Sequence, residues 1–272
     1  MKTALLAIGL LFATSPALAD CKSEWLCVDV VNEGGDVGLR ARNLVNVPIT
    51  YTLNLFSGNS RRGGSRSVTS TLAPLQSENV LLSEADFDVQ AELDFTYEWA
   101  IGDKDAAHDD DHLYALPYSS GRAYRVLQSY GSRFSHTGLE EFAIDFDMEV
   151  GTAVHAARAG VVARVEEANS IGCWDDGCGK YANFIVVLHS DGTTGEYYHL
   201  QQRGALVEVG DRVFQGQKIG YSGNTGHTTM PHLHFAVYRA TSGGNTQSIP
   251  VRFQGVDGII TRLRRGGRYR AM

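Results

Sequence analysis

Hydrophobic and polar residues alternate with a period of two along much of this chain, the period of a strand with one buried face. In the first half the pattern predicts strands over 26–31, 37–41, 49–56 and 89–99. Gly- and Ser-rich stretches, notably 57–67, separate them. Several short strands with turn punctuation predict a small β-sandwich. From Tyr118 the texture changes, and glycine becomes regular. Strands are predicted over 142–146, 160–165, 182–189, 194–200, 213–221 and 232–239. Gly151, Gly192, Gly210, Gly216 and Gly220 fall where turns between them are expected. Helical periodicity is nearly absent. The expected fold class is all-β, an N-terminal sandwich-like domain followed by a second, antiparallel β domain.

The chain opens with Lys2, a short apolar run and Ala17-Leu18-Ala19, a small-x-small cleavage pattern. This reads as a secretory signal peptide over 1–19, since the run is too short to cross a bilayer. No later stretch is long and apolar enough to span one, so the protein is expected not to be membrane-spanning. The expected organisation is a signal peptide (1–19), an N-terminal β domain (20–117), a second β domain (118–255) and a basic tail (256–272). The tail carries Arg262, Arg264, Arg265, Arg268 and Arg270 and reads as a solvated terminus. A net charge of −7 argues against nucleic acid as a partner. The four cysteines form two close pairs, Cys21/Cys27 and Cys173/Cys178. In an exported chain they predict two small disulfide loops and a periplasmic or secreted location.

Candidate chemistry concentrates in the second domain. In His232-Leu-His234 the two imidazoles share one strand face, as a metal site or a ligand-and-base pair requires. Alone, such a pair does not distinguish a metal site from hydrogen-bonded surface residues. Other candidates are His136, the alternating segment that carries Asp145 and Asp147, and His199 at a strand end. Alternation does not choose between the two aspartates, but Asp145 is flanked by bulky apolar residues and is the more enclosed. A buried acid needs a cation or donors close by. His155 reads as structural, and His189, beside the Asp191-Gly192 turn, reads as exposed. The run His108-Asp-Asp-Asp-His112 reads as a solvated interdomain loop.

In order, the chain presents a His, a nearby Asp, Glu196-Tyr-Tyr-His199-Leu, then Gly226-His-Thr-Thr-Met-Pro-His-Leu-His-Phe235. Turn motifs accompany them: Gly151-Thr-Ala-Val-His-Ala-Ala, Val209-Gly-Asp-Arg-Val-Phe-Gln-Gly-Gln-Lys-Ile-Gly and Ser222-Gly-Asn-Thr-Gly. Over 126–239 this set strongly resembles the lysostaphin-type, LytM-domain and β-lytic zinc metalloendopeptidases. The resemblance implies a zinc ion (Zn2+) held by His136, Asp145 and His234, with His199 and His232 as the acid/base and transition-state residues. Three protein ligands with an open position mark a catalytic zinc. The implied function is an exported peptidoglycan hydrolase that cuts peptide cross-links of the bacterial cell wall.

Three features depart from or extend the family pattern. The gap between His136-Thr-Gly and Asp145 is lengthened by Leu139-Glu-Glu-Phe-Ala-Ile, which leaves Asp147 as the second candidate ligand. Met230 stands where a small residue is usual and should reshape one wall of the cleft. Tyr130 is the candidate for the tyrosine by which some members steady the transition state. The alternative function is a catalytically inactive LytM-domain regulator that activates other cell-wall hydrolases, although all five expected positions hold competent residues. A cytosolic phosphocarrier domain is incompatible with a signal peptide. The expected partner is a peptidoglycan peptide, and the N-terminal domain or a loop is a candidate autoinhibitory contact.

Overall fold

The computed structural model describes residues 21, 24–33, 36–57, 65–81 and 93–272. The expected signal peptide over 1–19 and the first residues of the strand expected over 89–99 lie outside the described residues.

The first half forms β1 (Leu26–Glu33), β2 (Asp36–Asn43), β3 (Ile49–Ser57), β4 (Ser65–Leu72), β5 (Ser77–Leu81) and β6 (Leu93–Ile101). They make two antiparallel three-stranded sheets, ordered β1-β2-β5 and β4-β3-β6. Alternation on β3 puts Ile49, Tyr51, Leu53 and Leu55 inward, where they pack with Leu26, Val28, Leu39 and Ala41. Each such Ile, Leu or Val side chain contributes roughly 1.5–3 kcal/mol by leaving water. The opposite face of β3 carries Thr50 and Thr52, whose hydroxyls pair across the ladder with Thr71 and Thr69 at 2.9 Å. Buried Asn43 donates to the carbonyls of Val47 and Ala73 and closes the turn that follows β2.

The second half continues with β7 (Leu113–Ala115), β8 (Ala123–Gln128), β9 (Ile144–Phe146), β10 (Ala153–His155), β11 (Gly160–Glu166) and β12 (Gly172–Cys173). Then come β13 (Phe184–Leu188), β14 (Thr194–Tyr198), β15 (Leu200–Ala205), β16 (Arg212–Val213), β17 (Lys218–Ser222) and β18 (Gly226–His227). The last are β19 (Leu233–Ala240), β20 (Thr246–Ile249), β21 (Arg252–Gly255), β22 (Gly258–Ile260) and β23 (Arg268–Arg270). The described helical structure is two 3-10 turns, Gly138–Glu140 and Asp176–Tyr181. The main sheet runs β16-β11-β13-β14-β19-β9-β8-β23, and β20 also pairs with β19. Both disulfides, Cys21–Cys27 and Cys173–Cys178, are formed.

The main sheet is buried on both faces. Ile185, Val187, Tyr197, Leu233, Phe235 and Val237 point into the large C-terminal core. The intervening residues point the other way. At the β11–β13 end of that second face, Ala163 and Val186 join the core of the N-terminal sandwich, flanked by Phe184 and Leu188. The sandwich therefore sits on one end of the sheet face whose other end carries His234.

Three expectations are corrected here. The basic tail is only partly a solvated terminus: its arginines are exposed, but β23 pairs with β8, and Leu263 and Ala271 are buried in the main core. The loop over 102–112 is only half solvated. Its aspartates face water, but His108 and His112 pack on the buried ring of Tyr114. The segment expected as one strand over 213–221 is two, parted by Gly216 at φ 80°.

Candidate active site

β19 sets His234 directly opposite Asp145 of β9 on one side and Tyr198 of β14 on the other. This register follows from Leu233 and Phe235 being buried in the core, because a one-residue slip would turn both imidazole and apolar residues to the wrong face. His234 Nδ1 donates to Asp145 Oδ1 at 3.0 Å. His136, from the loop after β8, brings Nε2 to 3.2 Å from the same oxygen. That approach is not aligned as a hydrogen bond, and both ring nitrogens of the buried His136 lack a hydrogen-bond partner. Ligand atoms of His136, Asp145 and His234 all lie within 4.8 Å of one another. Buried polar atoms are normally satisfied. Two imidazoles and a carboxylate with unsatisfied nitrogen thus form a donor set that fits a zinc-like cation.

Asp145 is held from behind by a residue that the sequence reading did not single out. Gln128 Nε2 donates to Asp145 Oδ2 at 2.6 Å, and Ser132 Oγ donates to Gln128 Oε1 at 2.9 Å. Burial alone would raise the Asp145 carboxyl. Its contacts with His136 and His234 outweigh burial and hold it well below the usual carboxylate range. For His234, burial opposes the charge, but bonding to Asp145 and Glu140 raises it.

His199 and His232 lie beside this cluster, with ring centroids 4.6 Å apart. His199 Nδ1 donates to the Thr225 carbonyl, and His232 Nδ1 donates to the Met230 carbonyl, both at 2.7 Å. A carbonyl only accepts, so each Nδ1 carries the proton and each Nε2 keeps its lone pair. His232 Nε2 lies 3.8 Å from Asp145 Oδ1. Burial pushes the His199 imidazole down to about 3, and burial also lowers His232. His199 stands at φ 65° between β14 and β15, a left-handed conformation that is uncommon outside glycine. The strand expected over 194–200 is broken there, which turns the imidazole out of the ladder. Gly226, at φ 85°, lets the following turn close on Ala182, which a Cβ would meet at 2.6 Å.

The lengthened gap between His136 and Asp145 folds as the 3-10 turn Gly138–Glu140, and it delivers Glu140 to the site. Tyr238 Oη donates to Glu140 Oε2 at 2.6 Å and accepts from His234 Nε2 at 3.2 Å. Tyr238 follows His234 by four on a strand and so shares its face, a signal present in the sequence. Glu140 gave none, because a loop has no periodicity. Farther along that face, buried Glu196 accepts from Thr194 and Tyr198, and burial raises its carboxyl.

The site opens into a cleft of about 450 Å3. Its rim is aromatic. Phe134 stacks on Trp174 with centroids 5.1 Å apart, and Trp174 lies 4.2 Å from the His227 ring. The Cys173–Cys178 loop carries Trp174, and half-exposed Met230 lines the cleft beside it.

The other sequence candidates lie elsewhere. Asp147 is outside the histidine cluster, and its backbone N–H donates to Arg125. His155 is bonded to Gly216 and Ser119. His189, expected to be exposed, is 3% exposed and bonds Thr193, because the Asp191-Gly192 turn folds under residues 103–106. Tyr130 does not face the cleft. Its hydroxyl bonds the backbone of Val251 in both directions.

Residues 140–249 match the family described as peptidase family M23. The glycyl-glycine endopeptidase ALE-1 of Staphylococcus capitis is 37% identical over 117 residues, 43% of this chain and 29% of that protein. The peptidoglycan DD-endopeptidase ShyA of Vibrio cholerae is 32% identical over 122 residues, 43% of this chain and 26% of that protein. The chain thus spans less than a third of the length of these two relatives. A solved structure of lysostaphin from Staphylococcus simulans aligns at 35% identity and a TM-score of 0.35, covering 46% of this chain and 47% of that one. On this sequence match, the region from Glu140 to Ile249 is a domain of peptidase family M23, of the lysostaphin type.

Proposed function

We propose that this protein is an exported, zinc-dependent endopeptidase that hydrolyses peptide cross-links of bacterial peptidoglycan. The observation that carries the reading is the buried convergence of His136, Asp145 and His234 beside two neutral imidazoles. The ligands would be His136, Asp145 through Oδ1, and His234 through Nδ1, whose proton the cation replaces. When bound, zinc supplies Lewis acidity toward water and the scissile carbonyl.

The chain's own groups supply the rest. His199 and His232 are neutral at neutral pH because burial disfavours their charged forms. Each presents an unprotonated Nε2, so one can accept the proton of the attacking water and pass it to the leaving amine. While it carries that proton, the imidazolium can also stabilise the developing oxyanion. Gln128 fixes the orientation of Asp145, while Tyr238 and Glu140 hold the far nitrogen of His234. Two disulfides support a location outside the reducing cytoplasm, where peptidoglycan lies. The relatives named as peptidoglycan or glycyl-glycine endopeptidases support the substrate class.

The test is digestion of purified sacculi with the zinc-loaded protein, with released fragments identified by mass. Cleaved cross-links are the expected result. A protein that stays metal-free in added zinc and releases nothing would overturn the reading.

A further inference from the structure

The catalytic reading leaves the basic side chains at one end of the cleft without a role. Arg125 of β8 and Arg265, in the turn before β23, both line the cleft. Pairing of β23 with β8 sets Arg268 directly opposite Arg125. Like charges facing each other across an antiparallel pair are destabilising. Arg262 and Arg268 donate to the carbonyls of Tyr130 and Ala123, while Arg125 and Arg265 have no carboxylate or carbonyl partner among the described residues. The single carboxylate lining the cleft, Asp145, is already engaged by Gln128 and the histidines. A chain of net charge −7 has therefore gathered guanidiniums beside its candidate catalytic groups that form no ion pair among the described residues, although Asp147 neighbours Arg125.

We propose that Arg125 and Arg265 bind a carboxylate of the substrate, so that the cleft takes an anionic peptide in preference to an uncharged polyglycine bridge. This rests on the endopeptidase reading above. A guanidinium offers a planar fork of donors that matches a carboxylate, and its charge does not titrate. Arg125 shares β8 with Gln128, the residue that holds Asp145. Three residues of strand separate them by about 10 Å. The anion would thus sit at a fixed offset from the scissile bond, on the residue beside it.

The probes are a synthetic peptide containing a D-alanyl–diaminopimelate bond with a free carboxylate next to it, and the same peptide with that carboxylate amidated. Binding is measured by calorimetry and cleavage by mass. Both are followed in the full chain, in Arg125→Gln, Arg265→Gln, the double variant and Arg265→Lys. The wild-type protein is expected to bind the acid roughly tenfold or more tightly than the amide. The preference should shrink toward unity in the double variant and largely survive in Arg265→Lys. Equal binding of acid and amide by the wild type overturns the proposal, as does an undiminished preference in the double variant. Because binding is read apart from turnover, the two readings fail separately. Acid-selective, Arg-dependent binding without hydrolysis upholds the carboxylate site and counts against the endopeptidase. Equal binding and equal hydrolysis of both peptides do the reverse.

Discussion

Among the described residues of the N-terminal sandwich, buried Asn43, Thr50 and Thr52 are not ionisable, and the buried Tyr51 phenol is held neutral by burial. Across the main sheet the buried set includes His136, Asp145, Glu196 and His232. Both regions are twisted antiparallel sheets with alternating faces, so the element does not explain the difference. What differs is where the polar bonds go. Asn43, Thr50 and Thr52 are satisfied by carbonyls and hydroxyls of the sandwich and of the residues that flank its strands, joined at Thr52 by the backbone N–H of Gly243. The site residues instead converge from several elements on one oxygen of Asp145, and His136 still ends with both nitrogens unsatisfied. Local closure marks a polar group kept for folding. Convergence that leaves a remainder marks one kept for a ligand.

The largest effect expected from breaking this contrast is at His234. His234→Ala should abolish both zinc retention and hydrolysis, read by metal analysis and sacculus digestion. His232→Ala should retain zinc and lose turnover by about 10²–10⁴-fold. Loss of metal from the His232 variant but not from the His234 variant would reverse the assigned roles.

Next is a buried pair that lies outside the site. Arg158 donates to Asp191 at 2.6 Å, and burial of Asp191 is outweighed by bonds from Thr193 and Arg158, which bring it to about 2. Asp191→Asn should cost about 3 kcal/mol in denaturant unfolding, since it leaves a buried guanidinium short of its counter-ion. The pH signature has a defined sign. A carboxylate depressed in the folded state contributes fully above its ordinary 3.8 and loses that contribution as pH falls toward 2. Buried His189, lowered to about 3 by burial, begins to erode stability as pH falls below its ordinary 6.5. Stability should therefore decline on the acid side in two stages. Asp191→Asn should remove the lower one, and a wild-type profile flat from pH 7 to 3 would contradict both assignments.

A smaller effect is expected at Glu140. Glu140→Gln should weaken zinc roughly tenfold in chelator competition by loosening the Tyr238–His234 contact. An unchanged affinity would make the turn Gly138–Glu140 a spacer only. The smallest should be Thr69→Val on the sandwich, at about 0.5 kcal/mol, with zinc content untouched.

The sequence revealed most where an apolar face was long. β3 was legible from alternation, and β11, β14 and β19 from apolar or β-prone runs set between glycine-marked turns. β4 and β5 were not, although β1 and β6, edge strands of the same sheets, were, because those two carry more apolar residues. The Ser- and Thr-rich β4 is exposed at its start and never fully buried before Leu72. His136, Asp145, His199, His232 and His234 were found because they lie in short motifs that resemble a known family. Gln128, Glu140, Tyr238 and Trp174 were missed, because what each does depends on a partner far away in sequence. The fate of the basic tail was equally hidden, since pairing of β23 with β8 spans more than a hundred residues.

The seating of the sandwich on the main sheet has a consequence for handling the protein. Ala163 and Val186 are buried and Phe184 and Leu188 partly covered while the sandwich is in place, and together they form an apolar band. A peptidase domain excised at the linker would carry that band naked on its surface, beside the polar site. Contiguous exposed apolar patches invite self-association. The sandwich therefore covers an apolar face of the second half, and colloidal behaviour is expected to depend on keeping the two halves together.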